Sequence, residues 1–386
     1  MKVSAFVYPW DVNGDPDAAR RIAGLGVQQV TLAAAYHSTR ALTPRHPRHR
    51  IVTAEHASVL YPTDEQRWHG RELRPYAAGD WATGDAYGEA AAALADAGLD
   101  VHTWVVLAHN SRLGAEHPHT SVRNAYGDRY PWAPCIAQAA TRAYLTALAA
   151  EAATRPGARG TELESLGWYG LAHLHAHDKT AGVGLGEAGQ YLMSLCFCPA
   201  CEEGYARHGL EAAGLAAAVR TALEPLWRGR ASDDGWPTVE KLLGAGTATA
   251  TRAYRDATAR SLQEAAVAAV REAAPPDFQV LLHADPVSYH CGANVGVDPA
   301  HILSVADGVV VPCTGGADLV GPFAAQGKGV VAANLTVVRG MGGSPGTLAE
   351  DARAARDLGA NELRLYHAGL ASDADLSAVK EALAQL

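Results

Sequence analysis

Short apolar runs alternate with alanine-rich stretches along most of the chain. Apolar runs separated by helical stretches are typical of parallel β-α-β units. The predicted strands are Val3–Tyr8, Gln28–Ala35, His102–Ala108, Thr161–Trp168, Gln279–His283, Gly308–Pro312, Gly329–Ala333 and Glu362–Tyr366. The clearest predicted helices are Pro16–Gly24, Ala86–Ala97, Ala137–Ala153 and Asp375–Leu386. Eight strand–helix steps fit a closed (β/α)8 TIM barrel, an α/β fold, with a doubly wound open sheet as the competing topology.

Long segments interrupt this pattern after predicted strands two, three and four. The largest lies at about 171–274 and contains a cysteine cluster and an alanine-rich helical stretch, Val239–Ala273. No repeat or low-complexity linker divides the chain, and barrels often exceed about 250 residues as one unit. We therefore expect residues 1–386 to form one TIM-barrel domain that carries the 171–274 segment as an insertion.

The composition narrows the classes of function. Hydrophobic residues make up 48% and charged residues 19%, and the formal net charge is −9, which disfavours nucleic-acid and membrane-surface partners. No apolar run approaches the roughly 18–20 residues of a membrane span, and Met1–Trp10 is too short for a signal-peptide core. The six cysteines form no dense disulfide framework, so we expect a cytoplasmic protein, and a homo-oligomer stays open.

In such barrels, catalytic and binding residues lie at the carboxyl ends of the strands and in the loops that follow. Histidines recur at these ends, and flat aromatic rings can stack on sugar faces. Large aromatics are more often part of the core, and polar residues occur in any loop, so each residue alone is a weak signal. The substrate-binding candidates chosen on this basis are Trp10, His37, His109, Trp168, His283, Asn334 and His367.

Glu162 and Glu164 are the first catalytic candidates. A spacing of two residues places both carboxylates on one face of predicted strand four. Two like charges in the barrel mouth would raise the pKa of one carboxyl and make it a general acid. Glu164 lies nearer the carboxyl end and is the stronger candidate. The alternative is that one carboxylate is solvated and the other pairs with an arginine.

Three histidines, His173, His175 and His177, follow in the loop after strand four, with Asp178 and Lys179 next. Their spacing of two can present imidazoles along one edge, as metal ligands or as donors to sugar hydroxyls. A polar loop with internally satisfied histidines is the alternative. Asp178 could act as a second carboxylate or pair with Lys179.

A cysteine cluster lies further along the same insertion, at Cys196, Cys198 and Cys201. Three thiolates within six residues suit a tetrahedral zinc site, which needs a fourth ligand from elsewhere. Cys135, just before a predicted helix, is the best candidate for that ligand. The alternative is a set of reduced, partly buried cysteines.

Together these residues resemble the clan A type of glycoside hydrolase barrel, particularly family 42 β-galactosidases. The resemblance implies a strand-four acid/base glutamate, here Glu164, and a C-x-C-x-x-C run, here 196–201, that joins Cys135 around zinc. The segment 109–127 is also similar to the strand-three loop of glycosidase-like barrels. The motifs cover roughly residues 100–210, and the rest of the chain is similar only in architecture.

The resemblance fails at one position. The clan places its nucleophilic glutamate at the end of strand seven, whereas residues 330–334 read Val-Val-Ala-Ala-Asn with no carboxylate. A second carboxylate must come from elsewhere, and Asp285 after predicted strand five and Asp178 are the candidates. A separation of roughly 6.5–9.5 Å between the two carboxyl groups would indicate inversion, and roughly 5–5.5 Å retention.

The leading hypothesis is a glycoside hydrolase-like enzyme that acts on a small carbohydrate or glycoside. Glu164 would be the general acid/base, zinc would be structural, and no organic cofactor is expected. One alternative is a metal-dependent barrel hydrolase or isomerase, with Glu164, the 173–177 histidines, His283 and Asp285 as ligands. The other is a catalytically inactive sugar-binding barrel.

Overall fold

Eight parallel strands close into a barrel in the computed structural model, which describes residues 1–171, 178–230 and 235–386. The first strand pairs in parallel with both the second and the last, which closes the ring. The predicted (β/α)8 TIM barrel is therefore confirmed, and the open sheet is excluded. The barrel strands are β1 (Lys2–Val7), β2 (Gln29–Tyr36), β3 (Asp100–Val106), β4 (Gly160–Glu164), β5 (Gln279–His283), β6 (Gly308–Pro312), β7 (Val330–Thr336) and β8 (Glu362–Tyr366).

Helices surround the barrel and fill the insertions. They are α1 (Ala18–Ala23), α2 (Glu65–Trp68), α3 (Ala86–Asp96), α4 (Ser111–Glu116), α5 (Ala139–Ala153), α6 (Gly186–Met193), α7 (Pro199–Arg207), α8 (Ala212–Trp227), α9 (Trp236–Leu243), α10 (Ala245–Ala273), α11 (Pro299–Val305), α12 (Val320–Ala324), α13 (Leu348–Asp357) and α14 (Asp373–Leu383). Among the described residues, none of the helices combines the length and apolar character needed to cross a lipid bilayer.

Short antiparallel pairs occupy the long connections. Thr39–Leu42 pairs with Ile51–Ala54, and Ser58–Val59 adds antiparallel to the end of β2. After β3, Ser121–Arg123 pairs with Arg129–Pro134. The connection after β4 carries helices α6 to α10. Long insertions therefore follow strands two, three and four, as the sequence predicts.

Two element boundaries differ from the prediction for identifiable reasons. The predicted strand four runs to Trp168, but β4 ends at Glu164 because Ser165 takes a φ of 64°, which breaks the extended ladder. The predicted helical stretch 239–273 is two helices, because Gly244 has a φ of 81° and separates α9 from α10.

Residues alternate between the two sides of the barrel wall. Outward side chains such as Val30 and Leu32 are fully buried against the helices in the main apolar core. Each side chain buried in this way contributes about 1.5–3 kcal/mol. The inward positions are different, because several carry polar or aromatic side chains. These inward side chains line the interior of the barrel and its carboxyl-terminal mouth.

Candidate active site

Glu164 is the last residue of β4 and lies half-buried at the barrel mouth. The indole N–H of Trp104, on the neighbouring strand β3, donates to Glu164 Oε2 at 2.7 Å. The Trp104 ring packs 4.5 Å from the Tyr36 ring and 5.9 Å from the Tyr366 ring, centroid to centroid. The carboxylate is therefore held by one donor above an aromatic layer.

Three phenols continue this layer. The Tyr8 hydroxyl donates to the Tyr36 oxygen at 3.1 Å, and the Tyr36 and Tyr366 oxygens are 3.5 Å apart. Burial raises the pKa of all three, and the negative charge of Glu164 raises the pKa of Tyr36 and Tyr366 further. The phenols thus stay protonated at neutral pH and can act as hydrogen-bond donors. We call Tyr8, Tyr36, Trp104 and Tyr366 the mouth cluster.

A row of rings leads from the mouth cluster toward the rim. His37 stacks on Tyr36 with centroids 4.2 Å apart, His109 lies 4.7 Å from His37, and Tyr169 lies 4.6 Å from His109. Burial lowers the pKa of His37, although the Ser38 carbonyl and Glu164 oppose this shift. The His37 imidazole is therefore neutral at pH 7. Of the predicted substrate-binding residues that the structure describes, His37 and His109 are the two that belong to this row.

Glu162 lies deeper, inside the barrel, and its side chain is fully buried. Its Oε1 accepts from Arg364 Nε at 2.5 Å and from the Thr31 hydroxyl at 3.1 Å. His283 Nε2 is 3.6 Å from the other oxygen. Burial alone would raise the pKa of Glu162, but the Arg364 charge and the contact with His283 lower it to about 2. Glu162 is thus a permanently ionised partner of Arg364, and His283 belongs to this interior group.

The two proposed second carboxylates lie outside this interior group. Asp285 follows β5 closely and its side chain is 15% exposed. Its Oδ1 accepts from the Val287 N–H at 2.8 Å, and its Oδ2 is 2.9 Å from His290 Nδ1. The hydrogen bond to Asp285 raises the pKa of His290 despite burial. Asp178 is exposed and directly follows residues 172–177.

The remaining predicted binding residues have different surroundings. Trp10 and His367 are buried and stack on Tyr8, with centroids 4.6 and 4.2 Å apart. Trp168 is also buried, and its indole N–H donates at 3.0 Å to the Arg255 carbonyl of α10. Asn334 lies within β7, and its side-chain oxygen has no hydrogen-bond partner among the described residues. His173, His175 and His177 lie outside the described residues.

Four cysteines form a compact buried group. The sulfurs of Cys135, Cys196, Cys198 and Cys201 all lie within 4.8 Å of one another, and no disulfide joins them. Cys135 Sγ is 3.6 Å from Cys198 Sγ and 3.5 Å from Cys201 Sγ. Such spacings suit four thiolates around one tetrahedral ion with metal–sulfur bonds of about 2.3 Å. The four cysteines could therefore hold a metal ion, as the sequence predicts.

The metal-dependent alternative gains no support from the described residues. Within ranges 1–171, 178–230 and 235–386, only one group of three or more His, Cys, Asp or Glu side chains lies close enough together to share an ion. That group is the four cysteines. His283 contacts Glu162 and Asp285 pairs with His290, so neither joins Glu164 in such a group.

The sequence analysis assigns no role to the mouth cluster or to Arg364. The signal was present in part, because Glu362, Arg364 and Tyr366 alternate with leucines and so share one face of β8. A buried charged side chain on the inward face of a barrel strand requires a partner of opposite charge. For Arg364 that partner is Glu162 on β4. Tyr36 and Tyr366 are the last residues of their strands, the position at which an inward side chain reaches the mouth.

No protein-family model and no curated protein matches the sequence. The fold is similar to solved glycoside hydrolases. α-L-fucosidase isoenzyme 2 from Paenibacillus thiaminolyticus gives a TM-score of 0.61 at 10% identity, over 100% of this chain and 49% of that chain. The PgaB (BpsB) glycoside hydrolase domain from Bordetella bronchiseptica gives 0.55 at 15% identity, over 99% and 98%. The GH42 β-galactosidase Gan42B from G. stearothermophilus gives 0.54 at 12% identity, over 100% and 56%.

This chain thus spans about half the length of the fucosidase and galactosidase chains. At such low identities the likeness establishes the fold, a glycoside hydrolase-like TIM barrel.

Proposed function

We propose that this protein is a hydrolase of glycosidic bonds with Glu164 as its general acid/base. The observation that carries the proposal is the position of Glu164, half-buried at the end of a barrel strand, on the Trp104 indole and above the mouth cluster. The catalytic groups of TIM-barrel enzymes lie at this end of the barrel. The similarity to glycoside hydrolase structures supports the same class of chemistry.

In the proposed reaction, the Glu164 carboxyl gives its proton to the glycosidic oxygen as the bond to the anomeric carbon breaks. Asp285 is the proposed second carboxylate, which takes a proton from the water that bonds to the anomeric carbon. The position of the Asp285 loop supports this role. Asn294, in the same loop, accepts a hydrogen bond from the N–H of Ser165, the residue after Glu164. Asp178 is the second candidate for the base.

The electrostatics of the mouth favour an uncharged sugar. Among the described residues, Glu164 is the acidic side chain whose charge raises the pKa values of His37, Tyr169 and Tyr366. No described lysine or arginine contributes to these three shifts. An anionic sugar such as a uronate would therefore find no balancing cation among the described residues that shift these pKa values. Neutral phenols and imidazoles are suitable donors for sugar hydroxyls.

Zinc is the metal we propose for the four cysteines, in a structural role. Four thiolates fill a tetrahedral zinc shell and leave no open position for substrate, whereas catalytic zinc sites keep one open. All four cysteines are buried. We propose no organic cofactor for the reaction.

A panel of chromogenic glycosides tests the proposal, with the wild type, E164Q and E116Q compared at equal concentration. Glu116 is an exposed residue of α4 paired with Arg112, so E116Q is a matched carboxylate control. We expect E164Q to lose about 10²-fold or more in kcat/KM and E116Q to retain activity. Full activity of E164Q would remove Glu164 from the mechanism. Sugar binding without turnover in the wild type would indicate an inactive sugar-binding barrel.

A further inference from the structure

The turn directly after Glu164 has an unusual backbone conformation. Ser165 has a φ of 64°, and within the described residues it is the only non-glycine residue with a positive φ. The left-handed region costs a residue with a Cβ roughly 1–2 kcal/mol. Contacts around Ser165 must therefore hold this conformation.

Three hydrogen bonds hold the turn. The Glu164 carbonyl accepts from the Leu107 N–H at 3.0 Å, and the Ser165 carbonyl accepts from the Ala108 N–H at 2.9 Å. The Ser165 N–H donates to Oδ1 of Asn294 at 3.0 Å. The segment after β3 thus fixes the carbonyl side of the turn, and one side chain fixes its amide side.

Asn294 belongs to the loop between β5 and α11, which is organised around Asp285. The Asp285 N–H donates to the Asn294 carbonyl at 2.7 Å, and the Val297 N–H donates to the Asp285 carbonyl at 3.1 Å. The Asp285 carboxylate accepts from the Val287 N–H and pairs with His290. These bonds fix the position of the Asn294 backbone, so its side chain is presented at a defined place.

The same loop also packs against the chain that follows Ser165. A Cβ built on Gly167 would lie 2.4 Å from the Val295 carbonyl oxygen, so any side chain larger than hydrogen is excluded there. The loop after β5 and the turn after β4 therefore touch backbone to backbone. The Asn294 hydrogen bond is part of a continuous contact.

We propose that Asn294 is a positioning residue for Glu164, acting through the Ser165 backbone. The inference rests on the proposed function of Glu164. Without the Asn294 oxygen, the Ser165 N–H loses its partner and the turn relaxes toward negative φ. That relaxation rotates the Glu164 carboxylate away from the Trp104 indole. A displacement of about 1 Å at a catalytic group costs on the order of 10²-fold in rate.

The test compares N294A with N361A in the full-length protein. Asn361 is a matched control because its Oδ1 also accepts a backbone N–H, from Val331 at 2.9 Å, near the opposite end of the barrel. Two readouts are measured. The first is kcat and KM on a glycoside that the wild type hydrolyses. The second is the Trp104 indole ¹H–¹⁵N resonance, assigned with W104F, which reports the hydrogen bond to Glu164.

We expect N294A to lower kcat about 10-fold or more with KM changed less than about 2-fold, and to shift the Trp104 resonance. N361A should change neither. Because glycine adopts positive φ freely, the N294A/S165G double variant should recover most of the lost kcat. An N294A protein that matches N361A in both readouts overturns the inference.

The indole readout also separates this inference from the proposed function. If the wild type hydrolyses no glycoside, the proposed function fails, and the Trp104 resonance alone decides the role of Asn294. A shift in N294A but not in N361A then supports the positioning contact. An unchanged resonance in N294A overturns it.

Discussion

At the scale of single residues, Glu162 and Glu164 show how two carboxylates on one strand face come to differ. Glu164 is half-buried at the mouth with one indole donor. Glu162 is fully buried two residues earlier and pairs with Arg364. The alternation of strand four predicts that they share a face. Pairing of one carboxylate with an arginine was the stated alternative, but the alternation cannot identify Arg364, which lies 202 positions away along the chain.

Glu162→Gln tests the interior pair. Removing one partner of a buried ion pair costs up to about 3–5 kcal/mol, although here Arg364 still pairs with Glu362 at 2.9 Å. We expect E162Q to lose up to that much unfolding free energy in urea denaturation, whereas E164Q keeps a stability close to that of the wild type. Equal stability of E162Q and the wild type would contradict a buried Glu162–Arg364 ion pair.

The buried carboxyl group of Asp11 leads to a prediction about how the unfolding free energy depends on pH. Its side chain is only 4% exposed, and burial raises its pKa from 3.8 to about 7, although the Tyr8 N–H and the Arg45 charge oppose the shift. Between these two values the folded state binds the proton more tightly than the unfolded chain does. The contribution of Asp11 to stability therefore falls as the pH rises toward 7, and above pH 7 the full cost of the buried charge is present.

Asp11→Asn removes this cost. The gain in unfolding free energy of D11N over the wild type should be larger at pH 8 than at pH 5, by about 2–3 kcal/mol. Urea denaturation of both proteins at the two pH values measures the difference. A gain that does not depend on pH, or a loss at pH 8, would show that the Asp11 carboxylate is stabilised in the fold.

At the scale of elements, the cysteine group lies where two distant parts of the chain meet, a junction that the Phe197 N–H also supports by donating to the Arg123 carbonyl at 2.7 Å. Cys135 follows the strand Arg129–Pro134, and Cys198 and Cys201 lie at the start of α7. The spacing of 196, 198 and 201 predicts a shared site, and the structure places Cys135, the predicted fourth ligand, beside them. Local spacing identified three members, and Cys135 was the best candidate for the fourth because it lies just before a predicted helix.

Loss of the metal should loosen this junction. C198S is expected to bring the metal content from about one ion per chain to near zero and to lower the melting temperature by about 5 °C or more. C313S is the matched control, because Cys313 is buried outside the group. Mass spectrometry of metals and thermal denaturation check both. Metal-free wild type purified without chelator, with C198S as stable as C313S, would contradict a structural metal.

The ends of elements were harder to predict than their existence. The predicted strand four extends to Trp168, through Ser165, Leu166 and Gly167. β4 ends at Glu164, and the next residue, Ser165, donates its N–H to the Asn294 side chain from the loop after β5. The consequence is functional, since Trp168 then lies against α10 rather than at the mouth.

At the scale of the whole molecule, the barrel was predictable because the same strand–helix unit recurs eight times. Each unit buries its outward apolar residues in the same way, so the pattern repeats in the sequence. The mouth was less predictable, because it collects one or two residues from each of several strands. Tyr8, Tyr36 and Tyr366 meet there only after the first and last strands pair.

A crystal structure of E164Q with an intact glycoside tests whether Glu164 and the mouth cluster cleave a glycosidic bond. We expect a sugar over Tyr366 and Trp104, with its glycosidic oxygen about 3 Å from the residue 164 side chain. A glycoside bound away from the barrel mouth, or one whose glycosidic oxygen faces away from position 164, would rule out Glu164 as the general acid.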